Sequence, residues 1–157
     1  MRDILFRGKP IGGGEWVEGC YVKQPGYDCI TNELRYTHFI YKGVLVYSCL
    51  EGFEETEVVP ETVGQYTGLT DKNEKKIFEG DIVKCTDALN GIEFMAAVLF
   101  GNPNGEYNWG FQLKKISGDD ANTDILLWAE MEESGAYIEV IGNVFDNFSE
   151  GLKGETT

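Results

Sequence analysis

Short apolar runs along the chain are separated by glycine-rich or polar breaks, a rhythm of strands and turns. "DILFRGK" leads into "PIGGGEW", where Gly12, Gly13 and Gly14 permit positive φ and so predict a hairpin turn. "EWVEGCYVK" reads as the return strand, with Trp16 and Val22 on one parity and Val17 and Tyr21 on the other. Pro25-Gly26 reads as a turn, and "THFIYKGVLVYSCL" as a second hairpin bent at Lys42-Gly43. "YSCLEGFEETEVV" then runs into Pro60, which ends any strand that needs a donor there. A lobe boundary is placed at residues 58–62.

Beyond it, Asp81 to Asp87 reads as a short strand and Asn90-Gly91 as a hairpin turn. "IEFMAAVLF" is apolar on both parities, which predicts a strand buried on both faces. "GNPNG" is another turn, and "YNWGFQLKKI" returns with Trp109, Phe111 and Leu113 on one face. "DDANTDILLWAEMEES" is the best helix candidate, although its length also fits a strand. Asn122, Thr123 or Asp124 is placed to cap it, and Ile125, Trp128, Ala129 and Glu132 share one face. "AYIEVIGNVFDN" closes with a strand and a turn at Gly142-Asn143, and the tail from Ser149 is polar. The expected fold is mainly β, with at most one short helix. An N-terminal hairpin lobe (residues 1–60) is expected to pack against a small C-terminal barrel (residues 61–148), followed by a polar tail (residues 149–157).

Composition sharpens this picture. Hydrophobic residues make up 42% of the 157, enough for a packed core, and the twenty glycines suit many tight turns. The net charge is −14. Residues 1–50 carry +1, residues 51–80 carry −5 and residues 81–157 carry −10. Such a surface repels phosphate backbones and anionic lipid, so direct nucleic-acid binding and membrane adhesion are not expected. Cys20, Cys29, Cys49 and Cys85 form no C-x-x-C pair. The N-terminus places Arg2, Asp3 and Arg7 where a signal peptide needs an apolar core, and no apolar run approaches a membrane span. The expectation is a cytoplasmic protein with free, mostly buried thiols.

No catalytic, cofactor or metal site emerges from the residue pattern. His38, the one histidine, lies inside an apolar strand pattern, where a structural role is favoured over a nucleophile relay. The cysteine spacings are not those of a structural zinc site. "DDANTD" resembles a calcium loop loosely, but Asp124 stands where the mid-loop glycine belongs when counting starts at Asp119. Acidic runs such as Glu54, Glu55 and Glu57 read as solvated faces, and the frequent aromatics read as core.

The most distinctive stretch is "ETVGQYTGLTDKNEKKIFEGDIVK", Glu61 to Lys84. Gly64 and Gly68 lack the spacing and the following lysine of a phosphate loop. Residues Thr70 to Asn73 read as a polar turn between two strands, and Gly80 as a bend before a third. The candidate motif residues are Gly64, Gln65, Tyr66, Thr67, Gly68, Asp71, Glu79, Gly80 and Asp81, with a turn-shaping role favoured over binding.

This block closely resembles the hallmark of the YopX protein family of phages and prophages. The opening "ILFRGKPIGGGEWVEGCYV" and the closing "IEVIGNVFDN" resemble the family's first and last blocks, in the same order along the chain. One departure is Glu74, where the family often has glycine; Asn73 is the residue expected to take the left-handed position instead. The resemblance implies an SH3-like barrel in the C-terminal part and a mobile-element protein in a bacterial host. It implies no activity, cofactor or catalytic residue. The leading functional expectation is a non-enzymatic binding or assembly module that self-associates. The alternatives are an acidic regulator that docks on a basic host protein or mimics nucleic acid, and a carboxylate hydrolase working through Glu79 and Asp81.

Overall fold

The computed structural model describes residues 3–46, 49–105, 109–130 and 135–147. The fold is mainly β, with two sheets and only short helices. The chain divides into two compact units, Met1–Gln65 and Tyr66–Thr157.

In the first unit, β1 (Phe6–Gly8), β2 (Val17–Tyr27), β3 (Leu34–Val46) and β4 (Cys49–Glu57) form an antiparallel sheet in the order β4-β3-β2-β1. The first residues of β5 (Gly64–Thr70) add beyond β1, with Arg7 opposite Gly64 and Phe6 opposite Gln65. The glycines of "FRGK" and "WVEG" are there for close approach. A Cβ on Gly8 would lie 2.9 Å from Val58 Cβ, and one on Gly19 only 2.2 Å from the Tyr41 carbonyl oxygen. Val58 and Ile40 are buried. A 3-10 turn, Pro60–Thr62, follows β4. Thr62 Oγ1 fastens it, donating to Val59 O at 2.6 Å and accepting from the N–H of Lys9 at 2.8 Å. The Arg7 guanidinium lies over the Trp16 ring at 4.7 Å.

Two expected turns of this unit are corrected. Pro25-Gly26 is not a turn: β2 runs through both residues to Tyr27. The N–H of Asp28 donates to Glu33 O, which sets the alternation along β2–β3. Gly26–Arg35 and Gln24–Thr37 are then the hydrogen-bonded pairs, and Pro25, opposite Tyr36, points its nitrogen away from β3. Along β2, β1 pairs only with Val17–Gly19, so among the described residues the flank at Pro25 is open and no ladder bond is lost at the proline. The turn lies at Asp28–Glu33, where Asp28 Oδ1 accepts from Ile30 and Thr31 and Asn32 takes φ 58°. Those N–H groups hold the Asp28 carboxyl below its ordinary value. Lys42-Gly43 is not a bend either. The β3–β4 register shifts between Lys42 and Val44, where Gly43 stands opposite two residues of β4, Gly52 and Phe53; the bulge is in β4, and β3 runs on through Gly43.

In the second unit, β5 continues into a hairpin with β6 (Lys76–Phe78), Tyr66 opposite Phe78. β7 (Asp81–Asp87), β8 (Ile92–Gly101), β9 (Gly110–Gly118) and β10 (Ala136–Asn143) form an antiparallel sheet ordered β10-β7-β8-β9. The helix α1 (Ile125–Glu130) lies between β9 and β10 in the chain. They pack around Ile77, Val83, Cys85, Phe94, Val98, Leu113, Ile125, Trp128 and Ile138, with one sheet curled as a half-barrel. The expected caps work in sequence. Asn122 Oδ1 accepts from Asp124 N–H, and Asp124 Oδ1 accepts from Leu126 N–H. Trp128 packs edge-on against Phe94 at 5.3 Å and donates its Nε1–H to Asn122 O. Glu132 lies outside the described residues. Asn90-Gly91 turns the β7–β8 hairpin as expected, with Asp87 accepting from the N–H groups of Leu89 and Asn90 and from the Asn90 side chain. The Asn90 side chain, foremost, keeps the Asp87 carboxyl below its ordinary value.

Burial departs from the pattern in three places. β8 is buried on both faces only at its centre, where Ala96, Ala97 and Val98 are all buried. Phe94, Ala96 and Val98 point into the core, whereas Met95 and Phe100 are exposed. Trp109 does not share the burial of Leu113; it stands outside β9 with its ring against exposed Phe100. Of the three free cysteines described, only Cys85 is buried; Cys20 and Cys29 are exposed.

Candidate functional site

The polar turn between β5 and β6 is built around one carboxylate. Asp71 is buried. Its Oδ1 accepts from the N–H of Asn73 at 2.8 Å and of Lys75 at 3.0 Å, an Asx-type turn. Its Oδ2 accepts from the N–H of Val140 on β10 at 2.9 Å. The N–H of Lys72 donates to Ile138 O at 3.0 Å, a second bond from the turn to the same strand. The left-handed residue in this turn is Glu74 itself, at φ 62°, and not Asn73. The turn therefore keeps the conformation a glycine would adopt and carries a side chain through it.

The rest of the motif is anchored in the same way. Thr67 Oγ1 donates to Ile77 O at 2.8 Å and accepts from Leu69 N–H at 3.1 Å. Tyr66 lays its ring against Phe78 at 5.5 Å. Asp81 is fully buried, and its Oδ2 accepts from Phe78 N–H at 2.8 Å across the Glu79-Gly80 bend. Gly80 takes φ 87°, which only glycine adopts without strain. Its N–H donates to Val98 O at 2.7 Å and its carbonyl accepts from Val144 N–H at 2.8 Å. Glu79 is half-buried beside it.

One cleft opens where the turn meets α1 and β10. It encloses about 220 Å³ between Gly68–Lys72, Trp128, Ala129, Tyr137 and Ile138. Of the motif residues, Gly68 and Asp71 line it, while Thr67, Gly80 and Asp81 hold turns and Gly64 and Gln65 pair with β1. The volume is below that of sites for small-molecule ligands, roughly 300–1,000 Å³. Lys72 closes one side, its Nζ 2.8 Å from Glu139 Oε2 and 4.4 Å from the centre of the Tyr137 ring. Glu139 holds the Lys72 ammonium above its ordinary value. Lys72 lies in the motif block without being one of its candidate residues, and Tyr137 carries no motif; their meeting depends on β10 returning beside the turn.

Elsewhere the candidate chemistry resolves into structure. Tyr21 OH and His38 Nδ1 share a 2.6 Å hydrogen bond on neighbouring strands, with the rings stacked. Burial pushes the Tyr21 hydroxyl above its ordinary value. Asp119 Oδ2 accepts from Glu93 N–H, and Asp120 pairs with Lys115, so "DDANTD" is a turn followed by a helix cap. Among the described residues, no group of three or more His, Cys, Asp or Glu side chains is placed to hold a metal ion. No helix there is long and apolar enough to cross a membrane.

Compared with known proteins, residues 27–150 match the model of a family described as YopX protein. The match includes the motif block from Glu61 to Lys84 and the closing block, and begins after the "FRGK" segment. No curated protein matches the chain.

Proposed function

This chain belongs to the YopX protein family, and from that premise we propose a non-enzymatic binding or assembly module that self-associates. Its setting is the cytoplasm of a bacterium that carries it on a phage or prophage. One observation carries the reading. The far end of the β2–β3 hairpin leaves Tyr27 72%, Ile30 91%, Leu34 49% and Tyr36 49% exposed on a ribbon only two strands wide. A two-stranded ribbon is marginal in water by itself, and exposed apolar side chains beside open strand edges are features that a partner covers. The motif agrees with this reading: Thr67, Asp71 and Asp81 direct side-chain oxygens to backbone groups of their own turns and, for Asp71, of β10. Sedimentation velocity over a wide concentration range is the test. Self-association predicts a concentration-dependent rise in sedimentation coefficient, and a monomer throughout refutes it.

A second reading is supported by charge. Residues 81–157 carry −10, a field that draws a basic host protein. Such a partner would be retained from host lysate at low salt and released at high salt. Retention of nothing salt-sensitive would sink this alternative.

A further inference from the structure

The distal ribbon pairs Lys23–Tyr27 with Leu34–His38. β1 stops at its pairing with Gly19, and β4 reaches no further along β3 than Phe39. Both flanks of the ribbon are therefore open among the described residues. The two edges are not equivalent. On β2, Pro25 occupies an outward-facing position and offers no donor, which blocks strand addition there. On β3 there is no proline.

The hydrogen-bond alternation fixes which backbone groups β3 presents. Glu33 O accepts from Asp28 N–H, so Glu33, Arg35 and Thr37 face β2. Leu34, Tyr36 and His38 face outward, and His38 O indeed accepts from Val58 N–H on that side. The open outward groups are thus those of Leu34 and Tyr36. Their side chains share a face with Pro25 and Tyr27, the residues opposite them on β2.

We propose that this edge is a self-association site, at which β3 of one copy pairs antiparallel with β3 of a second copy about a two-fold axis at Arg35. In that register Leu34 exchanges both backbone hydrogen bonds with Tyr36 of the second copy, and Tyr36 with its Leu34. Every open outward group on the edge is then used. The Leu34, Tyr36, Tyr27 and Pro25 side chains of the two ribbons merge into one apolar face. On the other face the two Arg35 side chains meet. Each is already flanked by Asp28 at 3.6 Å and Glu33 at 3.8 Å, and Glu33 of the second copy lies diagonally opposite.

Charge selects a second copy over another partner. Residues 1–46 carry +1, so the rest of the chain carries −15. A like-charged copy meets the least repulsion at this neutral ribbon, whereas a basic protein would be drawn to the acidic remainder. The inference rests on the assembly reading above and names its surface.

Two sets of variants test it. Tyr36→Pro removes an outward donor without touching the β2–β3 ladder, and Leu34→Lys places charge in the apolar face. Each should weaken dimerisation in sedimentation velocity by at least about tenfold. Separately, Arg35→Cys in a chain with Cys20, Cys29 and Cys49 changed to Ser should give a disulfide-linked dimer on mild oxidation. Thr37→Cys in the same background should not, because the two copies of residue 37 lie far apart in this register. If the parent dimerises but both edge variants dimerise equally well and Arg35→Cys does not cross-link, the edge is wrong while the assembly reading stands. Cross-linking of Thr37→Cys in preference to Arg35→Cys overturns the register and with it the proposal. A parent that is monomeric throughout and does not cross-link as Arg35→Cys overturns both.

Discussion

Replacing Asp71 by alanine removes the acceptor that three backbone N–H groups share, those of Asn73, Lys75 and Val140. The three losses are unequal. Asn73 and Lys75 are exposed, so water takes over their N–H groups and each costs about 0.5 kcal/mol. Val140 is half-buried in β10, and its orphaned N–H costs about 1–3 kcal/mol. The expected destabilisation is about 2–4 kcal/mol, which for a unit of this size lowers Tm by about 8 °C or more. Asparagine at the same position separates the contributions. Its one carbonyl oxygen can hold the turn, but its amide then turns a donor toward the Val140 donor. Asp71→Asn should therefore keep the turn, lose the strand contact and fall between parent and alanine. Urea unfolding followed by tryptophan fluorescence measures this directly, since Trp128 lies in the same core. An alanine variant within about 0.5 kcal/mol of the parent would refute the clamp.

Further outcomes follow from single residues. Glu74→Gly should stabilise the protein by up to about 1 kcal/mol in the same assay, because it relieves a left-handed side-chain residue at an exposed turn; a loss of stability would show that the Glu74 side chain makes a compensating contact. Gly19→Ala should cost about 1–3 kcal/mol, since the new Cβ would fall 2.2 Å from the Tyr41 carbonyl oxygen and β2 and β3 would have to separate; a neutral result would mean that the strands already have that freedom. Burial pushes the Cys85 thiol up to about 12, so at pH 8 maleimide should modify Cys20 and Cys29 quickly and Cys85 only after unfolding. The same shift stabilises the native state fully below the unfolded thiol value near 9, and that contribution is lost as pH rises toward 12; Cys85→Ala should flatten this part of the stability profile.

What was legible in the sequence was mostly local. Asn90-Gly91 turned where predicted because its preference is written into two adjacent residues, and the Asn122–Asp124 caps lie beside the helix they start. Pro25-Gly26 carried an equally strong local signal and failed. Whether a proline breaks a strand depends on which way its nitrogen points, and that was fixed by the Asp28–Glu33 bond at the tip of the hairpin. Lys42-Gly43 fails similarly, since a glycine that faces a bulge in the neighbouring strand and one that bends its own strand have the same local sequence. Parity with Leu113 points Trp109 to the core, but it precedes β9 and escapes the alternation. The motif residues were found by pattern alone, whereas the cleft beside them was not. Lys72, Trp128 and Tyr137 come together only through the return of β10, and nothing near them in the chain announces it.

That return also sets a timetable. The Asp71 carboxylate and the Val140 N–H are 69 residues apart in sequence, yet they share a hydrogen bond that forms only when β10 returns. During synthesis the β5–β6 hairpin and the β7–β8–β9 meander emerge well before β10 does. Over that interval, about 3–14 s at about 5–20 residues per second, the carboxylate of the turn lacks its strand partner and the sheet stands open along β7. The last strand to leave the ribosome both fills the core and neutralises the cost of burying an acid placed there early. Truncation before Val140 should accordingly leave a chain that contains the whole motif block and its local turn bonds but lacks the strand contact that secures the turn.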